Sequence, residues 1–110
     1  MSSALSGPWS VFEVASITIP DGANLSLEFG EGSVGGHAGC NALSARIDLS
    51  GSDLRFGPVR TTKKACGQQI MAVEIGFLRA MQRVSRYEIS GDGTLTLYGF
   101  DTVMVRARRG

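Results

Sequence analysis

The chain has 110 residues, of which 43% are hydrophobic and 19% charged, and its eleven Lys and Arg against ten Asp and Glu leave a net charge of +1. That length suits one domain with one hydrophobic core, and the composition excludes a disordered chain. So small a net charge sets up no field that would gather phosphate backbones or anionic headgroups, so nucleic acid is not an expected partner.

Met1 to Pro8 is rich in Ser, Ala and Gly and reads as a flexible lead-in, with the folded domain expected over residues 9–108. It has neither a basic nor an apolar leader region, and no later window approaches a membrane span. Trp9 to Ser16 is aromatic and β-branched and predicts a strand, closed by the turn Pro20-Asp21-Gly22. Leu25, Leu27 and Phe29 alternate with Ser26 and Glu28, the period of a strand with one buried face, before Gly30-Glu31-Gly32 turns the chain. Ser33 to Cys40 carries Gly35, Gly36 and Gly39, which predicts a bulged or tightly turned segment where backbone approaches backbone. Leu43, Ala45, Ile47 and Leu49 alternate with polar residues in a further strand, and Asp53 to Phe56 supplies another after Ser50-Gly51-Ser52.

The period then changes. Ile70, Val73, Phe77, Leu78, Met81 and Val84 recur at steps of three and four, predicting a helix over Gln68 to Val84 with one apolar stripe. Arg79, Arg83 and Arg86 lie toward its C-terminal end, where cations complement the helix dipole. Tyr87 to Ile89, Leu95 to Tyr98 and Val103 to Val105 complete a terminal meander. The expected fold class is α+β: a strongly curved antiparallel sheet, half-barrel-like, with one principal helix packed across it.

Few residues carry chemistry. Glu74 sits on the apolar stripe, where a buried carboxylate must find partners; backbone amides of Thr61 to Cys66, or Lys64, are the expected ones. Asn41 is expected to satisfy backbone groups in the Gly39 to Ala42 turn. His37, Cys40 and Glu74 could be imagined as base, nucleophile and orienter. A catalytic Cys, however, normally meets a His from another element, and these two share one Gly-rich segment. No helix starts right after Gly30 to Gly39, so that run is no phosphate loop. One His and two Cys in unrelated loops lack the paired spacing of a structural metal site. No catalytic residue, metal or cofactor is therefore expected.

Gly36-His37-Ala38-Gly39-Cys40-Asn41, then Thr61-Thr62-Lys63-Lys64-Ala65-Cys66, then Glu74 before Phe77, and finally Tyr87-Glu88-Ile89 and Leu95-Thr96-Leu97, resemble the META (HslJ-like) domain family. The match runs from Trp9 to Arg106 and marks Gly36, Gly39, Cys40, Asn41, Thr62, Cys66 and Glu74 as the structural motif. His37, Ala45 and Lys64 depart from the usual pattern without touching the framework, which implies a different ligand surface. The resemblance implies a bacterial envelope protein linked to heat or antibiotic stress, without established enzymatic activity, either periplasmic or anchored as a lipoprotein after loss of an upstream signal peptide. In such a compartment Cys40 and Cys66 are a candidate disulfide, with packed thiols as the alternative and metal a distant third. The two cysteines are expected to be neighbours in either case. Two functions follow: a monomeric module that binds an envelope protein partner, or a carrier of a small apolar ligand or lipid between helix and sheet.

Overall fold

The computed structural model describes residues 4–110. In chain order the elements are β1 (Gly7–Val14), β2 (Asn24–Phe29), β3 (Ser33–Gly39), β4 (Ala42–Ser50), β5 (Asp53–Phe56), β6 (Arg60–Thr61), α1 (Gln68–Arg83), β7 (Arg86–Ile89), β8 (Leu95–Gly99) and β9 (Thr102–Arg109). The helix and its stripe lie where the three-to-four spacing put them, with Val73, Phe77 and Met81 buried and Val84 as the C-cap.

The sheet is a closed barrel rather than the expected half-barrel. Strand order β3-β2-β1-β9-β8-β7-β5-β4 returns to its start through a β3–β4 pairing, so eight strands form a ring, all antiparallel, with β6 attached to the far side of β4. Closure removes the exposed sheet edges that an open sheet would present. One seam is narrow: β5 and β7 meet through the single register pair Asp53↔Arg86, supported by Leu54 N–H donating to Ser85 O at 3.0 Å and Tyr87 N–H to Ser52 O at 2.9 Å. No hydrophobic alternation announces so short a pairing between segments separated by the helix.

Helix α1 covers one end of this ring. Gly39 at the end of β3 lies against Ile70, Ile17 after β1 lies against Gly76, and Gly99 at the end of β8 lies against the Arg83 carbonyl. Beneath the helix the interior is filled: Phe77, Met81, Leu27, Leu54, Leu95, Leu97 and Val105 are all fully buried. At the other end Leu5 is 1% exposed within the same core, and the Trp9 indole N–H donates to its carbonyl at 2.8 Å. The domain's start accordingly lies before the expected Trp9. From Ala4 onward the lead-in is held, because Arg109 donates to the Ala4 and Ser6 carbonyls; Met1 to Ser3 lie outside the described residues.

Two local expectations need correcting. The Gly-rich segment is a regular strand, paired along its length with β2 and β4. Its glycines serve the close approach: a Cβ at Gly36 would collide with the Ser26 carbonyl across the β2–β3 pair. Gly36→Ala is thus expected to destabilise by about 1–3 kcal/mol, since backbone, not a flexible side chain, must yield; a urea melt with an unchanged midpoint would refute the close contact. In β4 the inward alternation fades toward its end, leaving Leu49 38% exposed. In the β7–β8 turn Asp92 accepts hydrogen bonds from the Ser90 hydroxyl and from Thr94 N–H at 3.0 Å, which hold its carboxyl below the ordinary range.

Candidate functional site

The motif residues converge where the β3–β4 turn meets the start of α1. Chain reversal falls on Cys40 and Asn41, with Gly39 at φ 107° and Ala38 N–H donating to Asn41 O at 2.8 Å. Such a φ favours Gly. The turn leaves its own amides without sheet partners, and Glu74, in the second turn of the helix and 5% exposed, takes them. Its Oε1 accepts from Cys40 N–H at 3.2 Å and Asn41 N–H at 2.7 Å, and its Oε2 from Asn41 Nδ2 at 2.8 Å.

These are not the partners expected for Glu74. The Thr61 to Cys66 segment is bound instead by Asn41, whose Oδ1 accepts from the Thr62 hydroxyl at 2.8 Å and Lys64 N–H at 2.7 Å, while its Nδ2 also donates to Lys64 O at 3.2 Å. The Thr62 hydroxyl sits 3.2 Å from Ala42 N–H and accepts from it. Asn41 therefore serves a neighbouring segment rather than its own turn. The reason is geometric: an amide side chain offers both donor and acceptor, as a strand-like Lys64 backbone requires, whereas a carboxylate only accepts. Lys64 itself is exposed and reaches the site through its backbone.

Cys40 and Cys66 are bonded, with Cα atoms 6.0 Å apart and a sequence separation of 26. The bridge clamps the turn to the segment entering α1 beside the Asn41 contacts. Closing a loop of that length restricts the unfolded chain by about 3.5 kcal/mol. Reduction is expected to lower the melting temperature by roughly 15 °C, while the folded spectrum survives at low temperature because Asn41 and Glu74 still bind. A melt insensitive to reductant would refute this clamp.

Gly39, Cys40, Asn41, Thr62, Cys66 and Glu74 thus form one cluster, whereas Gly36 stands apart at the β2–β3 contact. His37 lies on β3, opposite Ser26 and Ala42, half-buried, and its Nδ1 has no hydrogen-bond partner among the described residues. Every sulfur and every polar atom of the cluster's Asn and Glu is committed to holding chain. The cluster locks a turn, with its two sulfurs bonded to each other.

A barrel of eight antiparallel strands, closed at one end by a helix that a disulfide and a buried Asn–Glu pair tie down, defines a small disulfide-braced α+β domain. The chain belongs to the META domain family, whose model matches residues 3–110. It is similar in fold to a protein from Burkholderia xenovorans solved by NMR, at 20% identity and TM-score 0.78, with 96% of this chain and 83% of that one covered. A second NMR structure matches at 17% identity and TM-score 0.69, covering 96% and 94%. No curated protein matches the sequence. At those identities the likeness concerns the fold alone.

Proposed function

We propose that this domain is a non-enzymatic, stress-associated interaction module of the bacterial envelope, periplasmic or membrane-anchored, recognising another protein by its surface. The carrying observation is that the groups with chemical potential are used up in structure: Cys40 and Cys66 bond to each other, and Glu74 and Asn41 are saturated by the turn and by Lys64. A bridge between the motif cysteines fits an oxidising compartment. The alternative, an apolar ligand carried between helix and sheet, is weakened by the packing there, where Phe77 and Met81 have no exposed surface.

The experiment is mass spectrometry of protein purified from envelope fractions without detergent, beside cross-linking in living cells. A discrete protein adduct and no stoichiometric small molecule are expected. A co-purifying amphiphile at one per chain would favour the carrier, and turnover lost in Cys40→Ala or His37→Ala with fold retained would make the domain an enzyme.

A further inference from the structure

Two surface grooves sit side by side along the outer flank of α1. The first, of about 680 Å³, lies between the helix and the segment after β1 and includes Ile17, Ile75 and Arg79. The second lies between the helix end and the β8–β9 turn and includes Arg55, Arg86 and Phe100. Arg83, Thr102 and Met104 line both, so the two are continuous. Ile75, Arg79 and Arg83 follow one another at four-residue steps and form a single row along the helix.

Apolar exposure concentrates on this row and its end. Ile75 is 49% exposed and Phe100 89% exposed, the two most exposed large hydrophobic side chains among the described residues. Phe100 is also one of two non-glycine residues there with positive φ, at 57°, with its N–H held by the Ser85 hydroxyl at 3.2 Å. Holding an aromatic residue in the left-handed region so that its ring points to water works against both backbone preference and hydration, a combination typical of binding surfaces.

The charge around these anchors has one dominant sign. Arg55, Arg79 and Arg83 have no ion-pair partner among the described residues; Arg86 is taken up by Glu88 at 3.5 Å and by the Tyr98 ring. The carboxylates nearest in the wall and turn are Asp53 and Asp101. On a chain of net charge +1 this is a local cationic rim around an apolar centre. We propose that the α1 flank and the β8–β9 turn form one docking surface for an acidic, apolar-anchored segment of a partner protein. This rests on the interaction-module reading and names its surface and chemistry. A peptide fits better than a lipid because the grooves lie outside a filled core, which leaves no enclosed channel to bury an alkyl chain, whereas side-chain anchors need only shallow seats.

The test places a photoreactive amino acid at exposed Ile75 in cells, with the same probe at Leu49 in the β4–β5 region as control. A protein adduct at position 75, reduced about tenfold by Arg79→Glu with Arg83→Glu, is expected. Both arginines are exposed, so the double variant should still fold, melting only a few degrees below the parent because Arg83 lies in the last helical turn. In vitro, random peptides displayed against the purified disulfide-bonded domain should enrich Asp or Glu beside Leu, Phe or Trp, and their binding should weaken with salt. Adducts that ignore the charge reversal, an adduct with lipid in place of protein, or selected peptides without acids would overturn the proposal. Adducts at Leu49 but not Ile75 would remove this surface and leave the module; none at either position would remove both.

Discussion

Phe77→Ala is expected to destabilise the domain by about 3–5 kcal/mol, the usual loss for truncating a fully buried aromatic ring in a core that cannot collapse onto the space. Phe77 has no exposed surface and sits mid-helix, where α1 covers the barrel end. The denaturant midpoint should fall with an unchanged slope, because the same surface is exposed on unfolding. Ile75→Ala, two residues away on the same helix but 49% exposed, should change stability by no more than about 0.5 kcal/mol. The contrast separates the helix's two faces. A loss below about 1 kcal/mol for Phe77→Ala would mean that the stripe does not anchor the helix. Since Ile75, Arg79 and Arg83 lie on that helix, the ring that fastens α1 also fixes the row proposed to meet a partner.

The helix was legible because its signal is local: six apolar residues at helical steps leave one burial solution, and α1 spans Gln68–Arg83, with Val84, the predicted last residue, as its C-cap. Barrel closure was not. It depends on β5 meeting β7 across the intervening helix through one register pair, and nothing in Asp53 or Arg86 distinguishes a residue that closes a ring from one at a free edge. The Gly-rich segment misled for a related reason. Glycine marks close backbone approach, but the sequence does not say whether a turn or a neighbouring strand approaches, and here Ser26 of β2 does. At the site, the burial of Glu74 followed from its place on the stripe, while its partners did not, because two segments with orphan amides lay within reach and only the chain path chose between them. The arginine row was hidden by a sufficient simpler explanation, since cations near a helix C-terminus are expected on dipole grounds alone.

Glu74→Ala is expected to destabilise by about 3–5 kcal/mol although it removes no apolar surface of note. The carboxylate meets three donors, Cys40 N–H, Asn41 N–H and Asn41 Nδ2, and all three lie in a turn where Cys40 and Asn41 are themselves buried. Ala strands them without a replacement, and each buried donor left unsatisfied carries a penalty of about 1–3 kcal/mol, partly relieved where water can enter. Glu74→Gln should fall between, at about 1–3 kcal/mol. Its single carbonyl oxygen can serve the two backbone amides, but its NH2 then faces the Asn41 NH2. Turning the Asn41 amide over to escape that clash would point its NH2 at Lys64 N–H, another donor. No arrangement of the two amides satisfies every partner, and this is why a carboxylate, which only accepts, stands opposite an Asn here. A double-mutant cycle with Asn41→Ala reads the same arrangement from the other side. Because the two residues share one network, the double variant should lose less than the sum of the single losses by about 1 kcal/mol or more. Additive losses, or a Glu74→Gln protein as stable as the parent in a denaturant melt, would show that the turn holds itself and that the buried carboxylate is incidental to it.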